Sequence, residues 1–242
     1  MNRWGIIVRV KNLFKKTFQL EETNCTILSD NQYSIEVAIS SIKHFRKQLE
    51  IYIRNHLNFL YSLSPVHVES GPEIVKRMAE FAEKANVGPM AAVAGVLADL
   101  AVKEMLQCGS RIAVVENGGE VSAVSNTMID MALLAGDHPF SRRFGFRLNE
   151  FPIGVATSSA LFSHALSFGE AEAVTIFAIN AGLADAVATA VGNTIKGDDC
   201  RGVVKKGIEK ALSIEGVKGA IIIYKKIVGK GGQIPEIIKI KS

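Results

Sequence analysis

Cysteine is scarce in this 242-residue chain, which contains only Cys25, Cys108 and Cys200. The three are widely separated, odd in number and in no Cys-x-x-Cys pair, so neither a disulfide framework nor a zinc site is expected. We expect all three to be free, buried and unreactive thiols in a reducing interior. The protein is therefore predicted to be cytoplasmic.

A strong excess of charge is also missing, since the formal net charge is only +4. The basic clusters are short, and none carries the interleaved aromatic residues that stack on bases (Lys15–Lys16, Arg142–Arg143 and Lys225–Lys226). Nucleic acid is therefore not expected as a partner.

No secretory signal is evident, because the apolar run near the N-terminus spans only residues 5–8. The stretch from Phe151 to Gly169 has no charged residue and is long enough to cross a membrane. It nevertheless contains Pro152, His164 and five hydroxyl residues. That composition favours a buried segment around a binding site, and no membrane partner is expected.

What the chain has is globular composition, with 48% hydrophobic and 21% charged residues. Apolar residues recur at steps of three and four between residues 34 and 55, which predicts an amphipathic helix. Similar reasoning predicts the remaining elements: helices at 72–85, 90–107, 183–192 and 199–213, and strands at 4–10, 25–29, 111–115, 120–125, 142–148, 153–157, 172–179, 217–227 and 236–241. We predict one domain over residues 1–242, and the only candidate boundary lies near residues 65–72.

The segment Val87–Gly95 is made almost entirely of small and apolar residues at a helix start. Small residues let backbone N–H groups approach a ligand, and the helix dipole favours an anion such as phosphate. Close helix packing in a core explains the same composition equally well.

A second candidate is Glu116-Asn117-Gly118-Gly119-Glu120, where two glycines form a tight turn flanked by polar side chains. The turn exposes its backbone, and Asn117, Gly118 and Gly119 are candidate ligand-binding residues. The commoner meaning of Asn-Gly-Gly is an ordinary hairpin turn.

A third candidate is Thr157-Ser158-Ser159, which ends a predicted strand and leads to His164. Hydroxyl and N–H groups at a strand end can hold phosphate or a polarised carbonyl. The chain lacks a Gly-x-Ser-x-Gly elbow, so a hydrolase is not indicated. We predict that His164 is a hydrogen-bonded structural histidine and not a catalytic base.

The fourth candidate is the pair Asp185 and Thr189, which are four residues apart and share one face of a helix. Asp185 is the only charged residue between Glu172 and Lys196, in a segment that looks buried. A buried carboxylate needs a partner, and a carboxylate with a hydroxyl suits a hard cation such as Mg²⁺. The alternative is that Asp185 caps a helix or loop.

These segments, in this order, resemble the ApbE-like superfamily. The closest similarity is to a short branch known as uncharacterised protein family 0280. The resemblance is carried by five segments: 87–95, 116–120, 157–159, 163–169 and 184–193. It implies an α+β fold, a single domain with a mixed or antiparallel sheet and packed helices. It also implies FAD or FMN and Mg²⁺ as cofactors, because the superfamily includes FAD:protein FMN transferases.

The resemblance also implies roles for individual residues. Asp185 and Thr189 match the metal-ligand positions of the transferases, while Gly118, Gly119, Thr157 and Ser158 match positions that contact the flavin nucleotide. The transferases have a Lys-Gly pair in the early helix, and this chain has Ala94-Gly95 there. A bound flavin nucleotide or similar phosphate-bearing ligand is therefore expected more than the transferase reaction.

Three functions stay open at the level of sequence. The first is an enzyme or carrier that binds a flavin nucleotide with Mg²⁺. The second, which the branch implies, is an enzyme of anaerobic sulfur metabolism that forms homocysteine. The third is a non-catalytic binding module. The sulfur hypothesis would need Cys108 and Cys200 to be reactive. The alanine-rich composition is compatible with a homodimer.

Overall fold

The computed structural model describes residues 4–9, 13–135, 144–159 and 169–239. Helices make up one layer of the fold. Their bounds are α1 (Gln32–Asn55), α2 (Leu57–Tyr61), α3 (Glu73–Ala85), α4 (Val93–Gln107), α5 (Ala181–Gly192) and α6 (Cys200–Leu212). A 3₁₀ turn at Pro89–Ala92 leads into α4.

Within the described residues the strands form two sheets, and every pairing is antiparallel. The smaller has the order β1-β6-β7-β12 and the larger β11-β10-β9-β8-β5-β4-β3-β2. The strand bounds are β1 (Trp4–Arg9), β2 (Phe14–Leu20), β3 (Thr23–Ser29), β4 (Ala113–Asn117), β5 (Glu120–Val124), β6 (Ile129–Ala135), β7 (Phe144–Leu148), β8 (Ile153–Ser158), β9 (Ala173–Ala178), β10 (Val217–Tyr224), β11 (Ile227–Gly232) and β12 (Glu236–Lys239). The protein is α+β, as predicted.

The central strands of the larger sheet, from β4 to β9, are buried on both faces, because their residues alternate between the helix side and the smaller sheet. On one face, Ala156 and Ile176 pack with Leu183 and Val187 of α5. On the other face, side chains of β8 and β9 pack against Phe146 and Leu148 of the smaller sheet. Successive residues of a strand point to opposite faces. Every second residue of β4, β5 and β8 therefore contacts the helices, and the residues between them face the other way.

The longest helix forms for the reason that the periodicity predicts. Ile35, Ile39 and Ile42 are buried on one face of α1, and the Asn31 side chain caps its start by accepting from Tyr33 N–H (3.0 Å). The structure adds elements that were not predicted, namely β2, α2 and β6, and it divides the predicted strand 217–227 into β10 and the start of β11.

No single helix in the described part of the chain has the length and composition to cross a membrane. One pair of helices would do so only when taken together, and it is bent by 102° (Glu73–Ala85 and Pro89–Gln107). The three cysteines are free. Cys25 is buried as predicted, whereas Cys108 and Cys200 are half-buried, which corrects the expectation that all three are buried. The single-domain reading of residues 1–242 stays a prediction.

Candidate functional site

The start of α4 lies against the start of α5, and their backbones approach closely. A Cβ atom added to Gly95 would lie 2.3 Å from the Ala181 carbonyl oxygen, so any side chain here would collide with backbone. The small residues in this part of the segment 87–95 therefore serve close helix packing, which is one of the two readings of their composition.

Helix α5 is buried along its whole length except at two positions. These are Asp185 and Thr189, which are half-buried and lie one turn apart on the same face. The predicted pair thus marks the one partly open face of an otherwise apolar helix. This face of α5 is therefore partly accessible to a ligand, and it presents a carboxylate from Asp185 and a hydroxyl from Thr189.

Asp185 is held against the first turn of α4, where its Oδ2 accepts from Gly95 N–H (3.0 Å). This contact agrees in part with the alternative that Asp185 serves as a cap. Burial raises the pKa of the Asp185 carboxyl to about 7, and the charge of Asp99 adds to the rise, while the N–H groups of Gly95 and Ala94 oppose it. The backbone contacts therefore offset only part of the desolvation of this carboxylate.

The Gly118-Gly119 turn joins β4 to β5, with Asn117 paired to Glu120 across the hairpin. Both glycines have positive φ, +70° and +123°, which side-chain-bearing residues rarely adopt. The Asn117 Nδ2 donates to the Ala94 carbonyl (3.0 Å), so the hairpin is tied to the start of α4. Nothing lies within 4 Å of a Cβ built on Gly119, so the turn is open to close approach there.

Glu120 follows the turn and belongs to the same site. It is part of the sequence motif 116–120, but the sequence analysis did not name it as a candidate site residue. Burial raises the pKa of the Glu120 carboxyl well above its usual range, and the negative charges of Asp185 and Glu116 raise it further. Glu120 and Asp185 thus lie within electrostatic reach of each other. In the described part of the chain no lysine or arginine forms an ion pair with either one.

The segment Thr157-Ser158-Ser159 is divided between the two faces of the larger sheet. The Thr157 hydroxyl lies 3.0 Å from that of Thr175 on β9, on the face that meets the smaller sheet. Ser158 lies on the helix side, where its hydroxyl would be 3.4 Å from a Cβ on Gly192 at the end of α5. Ser159 is buried. Their contacts with a ligand stay predictions, and His164 lies outside the described residues.

Asp99 is the second carboxylate at the α4–α5 contact, and sequence reasoning missed it. Its two oxygens accept from Ala181 N–H (2.9 Å) and Gly182 N–H (2.8 Å), so it caps the start of α5. Burial raises the pKa of Asp99, while Gly182 N–H, the Ser122 hydroxyl and Ala181 N–H oppose the rise. It is the only charged residue between Lys84 and Lys103, the same signal of isolation that singled out Asp185.

The predicted site residues therefore come together only in part. The hairpin turn at Asn117, the start of α4 and the Asp185–Thr189 face of α5 meet directly, and Ser158 adjoins the far end of α5, whereas Thr157 lies on the opposite face of the sheet. No three His, Cys, Asp or Glu side chains cluster as a closed metal site within the described ranges. A cation at Asp185 would have an open coordination sphere.

Comparison with known proteins shows the family of this chain and a shared fold. The family described as "AbpE bacteria" matches residues 9–215. A UPF0280 protein from Methanococcus vannielii is 39% identical over 232 residues, covering 94% of each chain, and one from Methanocaldococcus jannaschii is 39% identical over 231 residues, covering 93% of each. The apo flavinyl transferase ApbE of Pseudomonas stutzeri superposes with a TM-score of 0.60 at 13% identity, covering 91% of this chain and 94% of the other. The ApbE protein of Thermotoga maritima gives a TM-score of 0.57 at 15% identity, over 90% and 96%.

Proposed function

We propose that this protein binds a flavin nucleotide or a similar phosphate-bearing ligand together with Mg²⁺. The premise is that the chain belongs to the ApbE-like superfamily and to its UPF0280 branch. The cation would be held at Asp185 and Thr189. The ligand would lie against the open turn at Gly118 and Gly119. The proposal concerns binding, because that is what the geometry of the site supports.

The observation that carries the proposal is the pairing of Asp185 with Glu120. Two carboxylates within electrostatic reach repel each other when both are ionised. Burial raises the pKa of Glu120, and the charge of Asp185 adds to that rise; burial also raises the pKa of Asp185, and there the charge of Asp99 adds to the rise. A divalent cation would relieve both effects at once, which no contact within the described residues does. A cation would therefore stabilise the ionised form of Asp185 further than its hydrogen bond from Gly95 N–H does.

The donor set fits Mg²⁺ in kind. Magnesium takes oxygen ligands, keeps several waters and is usually bound through one or two carboxylates plus phosphate oxygens. Asp185 supplies a carboxylate, Thr189 a neutral hydroxyl on the same face, and Glu120 a second carboxylate nearby. When bound, the cation would neutralise these carboxylates and attract the phosphate groups of a nucleotide.

The flavin part of the proposal rests on likeness of fold to the Pseudomonas stutzeri protein, whose name describes it as a flavinyl transferase. The transfer reaction itself is not proposed, because fold does not transmit a reaction. The position that carries lysine in the transferases is Ala94, whose carbonyl oxygen is already bound by Asn117. A methyl group there cannot carry a charge or move a proton.

Thiol chemistry has no comparable support. Burial raises the pKa of the Cys25 thiol to about 12, and the charge of Glu116 adds to the rise. The thiolate is the reactive form of cysteine, so Cys25 is unsuited to sulfur transfer near neutral pH. The sulfur hypothesis depends on Cys108 and Cys200, which are half-buried, and the hydrogen bond found for either thiol in the described residues runs from Cys200 Sγ to the Asp198 carbonyl and not to Asp185, Thr189 or Glu120. A homocysteine-forming reaction is therefore not proposed.

Thermal unfolding with FAD, FMN and ADP, each with and without Mg²⁺, tests the proposal. A ligand that binds only the native state must raise the Tm. We expect FAD or FMN to raise the Tm more with Mg²⁺ than without it. In Asp185→Asn that Mg²⁺ dependence should disappear, and in Glu120→Gln it should weaken.

The matched control is Asp198→Asn, which removes an exposed carboxylate on the loop before α6. It should respond to ligand and Mg²⁺ as the parent does. The cation role is wrong if Asp185→Asn keeps the parent's Mg²⁺ dependence. The nucleotide role is wrong if none of the three nucleotides stabilises the parent.

A further inference from the structure

A cavity of about 420 Å³ opens at the N-terminal end of α5, away from the Asp185–Thr189 face. Its walls come from α3, the second half of α4, β5 and the start of β8. Much of the lining is apolar, from Val102, Leu106, Val124, Ile153 and Ile179. Ile179 is 46% exposed, so a large hydrophobic side chain stands at its opening. Such a hollow suits the apolar body of a small molecule.

Two cationic side chains stand at one side of this cavity, Arg77 from α3 and Lys103 from α4. Both bind the same oxygen of Glu73, Oε1, at 3.1 Å from Arg77 Nε and 2.9 Å from Lys103 Nζ. One carboxylate thus serves two cations, so these three side chains have a net charge of +1, and Arg77 also interacts electrostatically with Asp99 on the inner wall. Both cations are partly exposed, with 35% and 41% of their side-chain surface accessible, and they keep donors for another acceptor.

The inner wall has the opposite character. Asp99 lies there with Ser122 and Asn180, and its carboxylate is occupied by the capping bonds to Ala181 and Gly182. Asn180 is also engaged, since its Oδ1 accepts from Leu183 N–H (2.9 Å). A negative charge at this end would repel the charged head of an anion. An anionic ligand would therefore point its head towards Arg77 and Lys103.

We propose that this cavity is a second binding site, which takes a small organic anion with an apolar body, a carboxylate or a phosphate monoester. The anionic head binds Arg77 and Lys103, and the body lies against Leu106, Val124 and Ile179. Arginine and lysine both bind carboxylate and phosphate, so the two kinds of head are distinguished by experiment. The site does not depend on a cation at Asp185.

Isothermal titration of the parent with hexanoate, hexyl phosphate and hexylamine tests this inference. We expect at least one of the two anions to bind and hexylamine not to bind, and the stronger anion identifies the head. The double variant Arg77→Gln with Lys103→Gln should bind that anion about ten-fold more weakly or worse, since a hydrogen bond to a charged group is lost at each position.

Two matched variants separate charge from damage to the fold. Glu73→Gln removes the carboxylate that both cations share, so it should strengthen anion binding although it breaks the same ion pairs as the double variant. Leu106→Trp should weaken binding by filling the cavity. Asp198→Asn, which removes an exposed carboxylate outside the cavity lining, should leave the affinity unchanged. The inference is overturned if neither anion binds, if hexylamine binds as well as the anions, or if the double variant binds like the parent.

Discussion

Two aspartates join α4 to α5 in a reciprocal way, and they differ in how their charges are satisfied. Asp99 of α4 accepts from the first N–H groups of α5, and Asp185 of α5 accepts from the first turn of α4. Asp99 is only 8% exposed and also receives the Ser122 hydroxyl. Asp185 is half-buried and faces the like charges of Asp99 and Glu120. Two carboxylates on one helix contact can therefore serve different purposes.

The comparison shows that isolation in an apolar stretch does not by itself identify a binding residue. Asp99 and Asp185 are each the only charged residue in an apolar stretch of sequence, although Lys103 follows Asp99 after four residues. The donors around Asp99 make it a structural cap at a helix N-terminus, where the dipole also favours a negative charge. The Asp185 carboxylate also contacts a helix start, that of α4, but the negative charges of Asp99 and Glu120 lie nearby. Within the described residues no lysine or arginine forms an ion pair with Asp185 to balance them.

The largest expected effect comes from removing the structural member of the pair. Asp99→Ala leaves two buried N–H groups of α5 without an acceptor, so we expect a loss of about 3 kcal/mol in the free energy of unfolding. Asp99→Asn should cost less, because one amide oxygen can still accept. Denaturant titration measures both.

Ser122→Ala is the control for this first prediction, since it removes one hydroxyl from Asp99 and leaves the cap in place. It should cost about 1 kcal/mol. Equal stability of Asp99→Ala and the parent would mean that the cap is not what holds α5 to α4.

A middle-sized effect is expected in the pH dependence of Asp185, measured without divalent cations. Its folded-state pKa of about 7 lies above the ordinary value of 3.8. Between these values the native state binds more protons than the unfolded state, so this group makes the protein less stable as pH rises from about 4 to 7. The full shift corresponds to about 4 kcal/mol, which we reduce to about 1–2 kcal/mol because Asp185 is partly exposed and interacts with Glu120.

Asp185→Asn removes this group, so its stability relative to the parent should increase over the same pH range. Carboxylates with a lowered pKa, such as Asp30 and Glu73, have the opposite slope but are present in both proteins. The difference between the two denaturation curves therefore reports Asp185 together with its effect on the titration of Glu120. A difference that is constant from pH 4 to 7 would contradict the prediction.

The smallest effect on stability is expected for Thr189→Val, which keeps the side-chain shape and removes the hydroxyl. Thr189 is half-buried, so we expect a change within about 0.5 kcal/mol. The Mg²⁺-dependent rise in Tm with the nucleotide should fall between those of the parent and Asp185→Asn. A response as large as the parent's would remove Thr189 from the site. Thr157→Val is a useful companion, because Thr157 faces the smaller sheet and should leave this response unchanged if only the helix side binds.

Much of the fold follows from local pattern, and the missed elements have identifiable physical reasons. Strand β2 is an edge strand with mostly exposed residues, so its apolar alternation is only partial: Phe14, Phe18 and Leu20 share one face, but Lys16 interrupts it. Strand β6, with the sequence Ile-Asp-Met-Ala-Leu-Leu-Ala, consists largely of good helix formers and becomes a strand through its pairing with β1 and β7. The turn between β10 and β11 has positive φ at Lys225 and Lys226, where neither glycine nor asparagine marks it.

The sequence by itself determined that α5 is a small apolar helix with Asp185 and Thr189 on one face, and that two glycines turn the chain after Asn117. Both features depend on residues a few positions apart, within the reach of helical periodicity and turn geometry. Only the tertiary structure decided that Asp185 meets Gly95, 90 residues away, and that Asp99 caps α5 across 82 residues. Periodicity specifies which face a side chain occupies, whereas the packing of the helices on the sheet decides which charges and donors it meets there.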